Sequence, residues 1–389
     1  MHIMHLVTRL LRAGSEENTI ETCRAQVLAG HQVTLVHGRD FDPYWYDNPI
    51  PGIRLMSLPE MAHPIQIFAD MRAYQKLRQL FVEFVPDVIH THQSKAGILG
   101  RLASAVLSDV FVVHGIHIVP FEGMNRAKRW LYIWSERLAA RNTDLYIGVS
   151  NAVCQSFTDA GIAGQNQMKC VRSGIALGRF RSGQWPGDWS ALLGVSHVEN
   201  RPPVALMMAA FEKRKRHVPF LQAFAQVRQT VPDLKIILAG KGPEEQVIRK
   251  VVFDLGLQDH VVFCGHRSDP EALFAMADVS VLVSQKEGLP RVLIQSLASG
   301  VPMILNDLAG LDEVLTNGLN GVMTPPDDVC ATVNQMAQLL TDDLALSRLR
   351  QGVLETDVSD WDLASFGLRT TQLYRPANKL SAHSEIAAE

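Results

Sequence analysis

Cysteine is scarce in this chain, with five in 389 residues, and no Cys-x-x-Cys pair occurs. Cys23, Cys154, Cys170, Cys264 and Cys330 are odd in number and scattered, which excludes a disulfide framework or a zinc ribbon and suits a reducing compartment. Long apolar runs are missing too. The opening run from Met1 to Val7 is cut off by Arg9 and Arg12, too short for a signal segment or a membrane span, so a cytoplasmic location is expected. No glycine fingerprint of the Gly-x-Gly-x-x-Gly type follows the first apolar run, which counts against a nicotinamide dehydrogenase. No histidine pair has metal-ligand spacing with carboxylates, so no metal or cofactor is expected. The formal net charge is −3, and the basic run at 213–216 has no aromatics interleaved and lies in the net acidic second half, so nucleic acid is not an expected partner.

The composition is that of a globular protein, 47% apolar and 20% charged, and the length exceeds what one core usually supports. Short β-branched runs at residues 3–7, 32–37, 88–90, 110–113 and 145–149 alternate with helical spacing at 17–30, 71–84 and 126–141. A Gly/Trp/Pro-rich stretch at 182–187 and the cluster Asn200-Arg201-Pro202-Pro203 interrupt this pattern. It restarts with strands at 204–208, 235–239, 261–263, 279–283 and 302–306. The fold class is therefore α/β with two Rossmann-like domains, expected at 1–180 and 181–360. An amphipathic stretch at 361–375 is expected to pack back on the first domain, and 376–389 reads as a mobile tail. The first half carries 18 Lys and Arg against 15 Asp and Glu, so it is modestly basic.

Ligands of parallel sheets bind beyond the carboxyl ends of strands, so the loops there are where chemistry is sought. The first loop, Arg12-Ala13-Gly14-Ser15, offers one glycine, which suits a plain turn as well as a phosphate approach. Glu212-Lys213-Arg214-Lys215-Arg216-His217 follows a strand and opens a helix; four consecutive cations there can hold a diphosphate or form a solvated turn. After the strand at 279–283 comes Glu287-Gly288-Leu289-Pro290-Arg291. It sets a carboxylate that can fix sugar hydroxyls beside a helix start that favours anions. Gln295, further along that helix, has the reach of a ribose contact. Several histidines near strand ends (His90, His92, His114, His117) read as ordinary structure when each is taken alone.

Asp87-Val88-Ile89-His90-Thr91-His92 with Ser94-Lys95-Ala96-Gly97, then His114-Gly115, then Ala239-Gly240-Lys241-Gly242-Pro243, Phe263-Cys264-Gly265, and Glu287 through Arg291 with Ser299-Gly300-Val301-Pro302 carry a resemblance over residues 3–375. The chain resembles the retaining glycosyltransferases of family 4, which have the GT-B fold of two facing Rossmann-like domains and a cleft between them. The resemblance implies that His114 bonds a hydroxyl of the transferring sugar, that Glu287 positions it and that Lys215 neutralises the leaving diphosphate. It places Gly14, Arg216 and Gly240 near the donor phosphates. The nucleobase would be seated at Gly265-His266-Arg267, largely through backbone, and the backbone of Gly288, Leu289, Pro290 and Arg291 would lie against the donor. The implied donor is a UDP- or GDP-sugar and the implied acceptor a glycan or lipid-linked glycan of bacterial lipopolysaccharide, capsule or exopolysaccharide synthesis.

Three positions depart from the family's pattern. Gln295 stands where a second glutamate is usual, Ala210 where a phosphate-contacting arginine is common, and Ala13 where a second glycine is common. These departures keep a lapsed nucleotide-sugar-binding protein in view, and an epimerase on the same architecture is a third reading. The stretch Asn125-Arg126-Ala127-Lys128-Arg129-Trp130-Leu131-Tyr132-Ile133-Trp134 fits two roles. One is an amphipathic helix with Trp130, Ile133 and Trp134 partly buried; the other is a peripheral contact with the inner face of the cytoplasmic membrane.

Overall fold

In the computed structural model, which describes residues 1–12 and 14–375, the β-branched runs form strands and the amphipathic stretches between them form crossover helices. The chain divides into two units, Met1–Gly174 together with the segment that starts at Leu363, and Ile175–Asp362. The expected boundary at 180/181 thus falls earlier. Ile175, Leu177 and Phe180 bury their side chains in the second unit's core, which draws that short segment with them.

The first unit holds β1 (His2–Leu10), β2 (Gln32–Phe41), β3 (Ile53–Ser57), β4 (Val88–His92), β5 (Phe111–Ile116), β6 (Leu145–Gly148) and β7 (Met168–Cys170) in one sheet. Its spatial order is β3-β2-β1-β4-β5-β6-β7, and every pairing is parallel. Side chains alternate across it. Met4, Leu6 and Ile89 pack with Ala73, Leu77 and Ala103 of the helices Ile67–Phe84 and Ser94–Ser104. On the other face Ile3, Val88 and Val113 pack with Phe366 and Tyr374. The C-terminal helix, Leu363–Gln372, lies in this unit, where Gly367 approaches Ala25 of the helix Gly14–Leu28. The tail reading for 376–389 lies outside the described residues.

The second unit holds β8 (Val204–Met208), β9 (Lys235–Ala239), β10 (Val261–Gly265), β11 (Val279–Leu282), β12 (Met303–Asn306) and β13 (Gly321–Thr324). The order β10-β9-β8-β11-β12-β13, again all parallel, reverses direction between β8 and β11. That reversal is where doubly wound sheets open a crevice for ligands. In the first unit the corresponding reversal lies between β1 and β4. Three strands were not anticipated from sequence, β3, β7 and β13, and all three are sheet edges.

No helix among the described residues is long and apolar enough to cross a membrane.

Candidate active site

At the reversal of the second sheet, two loops meet. After β8 the chain turns through a short 3-10 stretch, Lys213–Lys215, before the helix His217–Val227. After β11 it runs through Gln285 and Glu287 into the helix Arg291–Ala298. The Gln285 amide donates to the Arg214 carbonyl at 2.9 Å and ties the two loops together. Lys215 donates to Glu287 Oε1, and Arg214 Nη1 donates to the same oxygen at 3.2 Å while its Nε holds Glu212 at 2.8 Å. The Lys215 and Glu287 side chains keep only 11% and 13% exposure, so the pair is largely shielded yet reachable. Burial by itself would raise the Glu287 carboxyl, but the neighbouring charges of Lys215 and Arg214 outweigh it and hold the group below its ordinary range.

The structure sorts the cations of the basic loop. Arg216 adopts a left-handed backbone conformation, φ 53°, and its guanidinium pairs with Asp327, not with Glu287. Arg214 and Arg216 are the two neighbours expected to make up for Ala210, and Arg214 is the second cation at the carboxylate. Only the fold shows this, because a run of four adjacent cations does not reveal which side chains turn inward.

The loops after β8, β9 and β10 are stitched by backbone bonds: Ala209 N to Ala239 O at 3.0 Å, Phe211 N to Lys241 O at 2.9 Å and Gly240 N to Gly265 O at 2.8 Å. A Cβ on Gly240 would lie 2.0 Å from the Ala209 carbonyl oxygen, and its φ of 154° is open to few other residues. Gly265 and His266 close β10. The Arg267 side chain is committed elsewhere: it clamps Asp188 at 2.7 and 3.0 Å and Asp269 at 2.8 and 2.7 Å. Hydrogen bonds to those two carboxylates push its guanidinium pKa up and theirs down. Its side chain thus ties the loop after β10 to Asp188 and Asp269.

Past Glu287, Gly288, Leu289 and Pro290 are buried, and Arg291 starts a helix with no side-chain cap. The first-turn amides of such a helix carry partial positive charge. Gln295, in the second turn, is half-buried, and its side-chain amide makes no hydrogen bond among the described residues.

In the first unit, His114 on β5 is 3% exposed. Thr91 Oγ1 donates to the Val113 carbonyl at 3.2 Å, so at 2.9 Å it accepts from His114 Nδ1. The Nε2 then bears a lone pair and makes no hydrogen bond among the described residues. Burial, reinforced by the nearby Arg101 charge, holds the ring pKa well below its ordinary value, so it stays neutral and can accept from a hydroxyl. Arg101 is itself anchored by Glu136 at 2.6 Å in a wholly buried pair. Gly97 abuts the ring: a Cβ there would lie 2.5 Å from His114 Cε1.

Gly14 is exposed at the start of its helix, and Ala13 lies outside the described residues. The buried Glu16, one turn in, receives Gln93 Nε2 at 3.0 Å, while Gln93 Oε1 accepts the amides of Thr8 and Arg9. Burial raises the Glu16 carboxyl pKa. One expectation needs correcting. Of Trp130, Ile133 and Trp134 on the helix Arg126–Ala140, only Ile133 is buried; Trp130 and Trp134 are 68% and 52% exposed, because the inward stripe is filled by Ile133, Glu136 and Ala139.

Residues 13–169 match the domain family described as "Glycosyl transferase 4-like domain" and residues 194–353 match "Glycosyl transferases group 1". The UDP-Gal:alpha-D-GlcNAc-diphosphoundecaprenol alpha-1,3-galactosyltransferase of Escherichia coli is 24% identical over 328 residues, 83% of this chain and 84% of its own. The putative glycosyltransferase EpsD of Bacillus subtilis (strain 168) is 26% identical over 276 residues, 69% and 71% of the two chains. Among solved structures, HepE of Anabaena in complex with UDP-glucose superposes with a TM-score of 0.76 at 20% identity, over 96% and 98% of the two chains. Sucrose-phosphate synthase of Thermosynechococcus elongatus does so with 0.78 at 21%, over the full length of both. With two Rossmann-like sheets, a matching domain family on each and this fold throughout, the chain belongs to the family 4 glycosyltransferases of GT-B fold.

Proposed function

We propose that this glycosyltransferase moves a hexosyl unit, with retention, from a UDP- or GDP-sugar to a glycan or lipid-linked acceptor in the synthesis of a bacterial lipopolysaccharide, capsule or exopolysaccharide. The observation that carries the reading is the convergence of Lys215, Arg214 and Glu287 where the second sheet reverses. Similar proteins support the donor and acceptor classes: HepE is described in complex with UDP and with UDP-glucose, and the E. coli relative is named for UDP-Gal and a diphosphoundecaprenol acceptor. The donor diphosphate would draw Lys215 and Arg214 onto its oxygens, with the amides of Gly288, Leu289 and Arg291 and the backbone at Gly240 alongside. Glu287 and His114 Nε2 would accept from hydroxyls of the sugar, and backbone at Gly265 and His266 would seat the base. The bond from the anomeric carbon to the phosphate oxygen breaks with both electrons leaving on the nucleoside diphosphate. The acceptor hydroxyl bonds to the same face and its proton passes to the departing phosphate oxygen. No protein nucleophile and no metal is assigned a part; positioning and charge supply the catalysis. Transfer assays with NMR of the new glycosidic linkage test this, the expected product keeping the donor's anomeric configuration.

Arg214 beside Glu287 favours turnover over a lapsed binding protein, because it supplies a cation that Ala210 does not. Conversion of donor with no acceptor would instead favour an epimerase. Membrane contact at the inner face is part of the proposal: Trp130, Leu131 and Trp134 are exposed beside Arg126, Lys128 and Arg129. In the same unit Ile65, Ile67, Phe68 and Met71 are exposed around the start of another helix. Sedimentation with anionic liposomes should carry the protein down, and Trp130→Ala with Trp134→Ala should release it.

A further inference from the structure

Strand alternation puts Thr91 and His114 on one face of the first sheet and His5, His90 and His92 on the other. His5 of β1 and His90 of β4 are register partners, and His92 lies two residues further along the same strand. The three rings are 0%, 3% and 3% exposed, and one nitrogen from each lies within 4.8 Å of the other two. Each ring also has its remaining nitrogen tied from outside. His5 Nε2 meets Gln26 Oε1 at 2.8 Å, His90 Nδ1 meets the Tyr374 hydroxyl at 2.6 Å and His92 Nδ1 meets His117 Nε2 at 3.1 Å.

These outer bonds constrain the tautomers. Gln26 Oε1 can only accept, so His5 Nε2 carries the proton and Nδ1 the lone pair. Gln26 Nε2 donates to the Tyr374 oxygen at 3.0 Å, which leaves that oxygen able to accept from His90 Nδ1 as well. The inner set is then His5 Nδ1, His90 Nε2 and His92 Nε2. His5 Nδ1 and His92 Nε2 are 3.0 Å apart, and the buried His90 Nε2 has no hydrogen-bond partner among the described residues. A hydrogen bond between the first two leaves the third nitrogen orphaned, whereas a cation satisfies all three. We propose that His5, His90 and His92 bind one divalent zinc-type metal ion, with Gln26, Tyr374 and His117 orienting the ligands.

A tetrahedral zinc centre with ligands at about 2.0–2.1 Å sets its nitrogens roughly 3.3–3.4 Å apart, so small ring movements complete it. Imidazole without carboxylate selects zinc and its late first-row neighbours over magnesium or calcium. Burial lowers the His5 pKa to about 4 and holds His90 and His92 well below the ordinary value, so at neutral pH the rings are neutral and each has one nitrogen lone pair to offer a cation. The centre would join β1 and β4 to the helix that carries Gln26 and the C-terminal segment that carries Tyr374. It lies on the face of the sheet away from His114.

The test uses the full chain, purified without a polyhistidine tag and stripped with chelator, then titrated with Co2+ and with Zn2+. One equivalent of Co2+ should give the visible bands of a tetrahedral nitrogen site, Zn2+ should displace it, and Zn2+ should raise the thermal midpoint. His90→Gln should abolish the bands, and exposed His197→Gln in the second unit should leave them unchanged. Tyr374→Phe keeps all three ligands and should weaken Co2+ binding about tenfold by removing the outer bond. Absence of the bands from folded wild-type protein overturns the proposal, as do bands of equal affinity in His90→Gln. If circular dichroism shows that His90→Gln does not fold, undiminished affinity in Tyr374→Phe overturns it.

Discussion

Lys215 and Arg214 donate to one and the same oxygen of Glu287, across 72 and 73 residues of sequence, while the adjacent Arg216 turns away to Asp327. Arg214→Ala should therefore lower turnover about 10²-fold, whereas Arg216→Ala should cost much less. Steady-state rates of the two variants check this ordering, and equal losses would contradict it.

Gly97 leaves the space that His114 occupies. Gly97→Ala would drive a Cβ to within 2.5 Å of the ring, which is buried and has nowhere to retreat. A displacement near 1 Å at a positioning group costs about 10²-fold in rate, so turnover should fall by about that factor with secondary structure intact. Rate assays paired with circular dichroism measure it.

His217, 2% exposed, stacks edge-on against Phe211, and neither ring nitrogen has a hydrogen-bond partner among the described residues. Burial, with help from Lys215, lowers its pKa from 6.5 to about 4. The unfolded chain takes up the proton first, so stability is lost as pH falls from about 6.5 toward 4, by roughly 3 kcal/mol from this residue. Urea unfolding of His217→Leu should show an acid limb shallower by about that amount.

The alternation of central strands and helices was legible because buried strands need continuous β-branched runs. β3, β7 and β13 escaped because edge strands pair on one side only and their short segments carry weaker patterns. Glu287 and Lys215 were legible from the order of their loops. The choice between Arg214 and Arg216 was not, since a turn's backbone conformation decides which of four neighbouring cations points inward, and the left-handed Arg216 is visible only in three dimensions. The clamp of Arg267 on Asp188, 79 residues away, is visible only in the fold. The exposure of Trp130 and Trp134 was likewise hidden, because spacing shows that a helix has an apolar stripe without showing which part of it is covered.

In the proposed donor site Gln295 would meet the ribose with a neutral amide, where a carboxylate would bond the hydroxyls more strongly. Gln295→Glu should tighten donor binding by about 1 kcal/mol, roughly fivefold to tenfold, with turnover little changed. Calorimetric titration with the best donor measures it.

The central claim is that the Lys215 and Glu287 pair forms the donor site of a working transferase. It is tested by measuring binding and turnover of UDP-, GDP- and ADP-sugars by the natural protein, Lys215→Ala and Glu287→Ala. One nucleotide class should bind and turn over, with Lys215→Ala slowing transfer about 10²–10³-fold and Glu287→Ala weakening both binding and transfer. Turnover that survives both substitutions unchanged, or no binding of any donor by the natural protein, would contradict it.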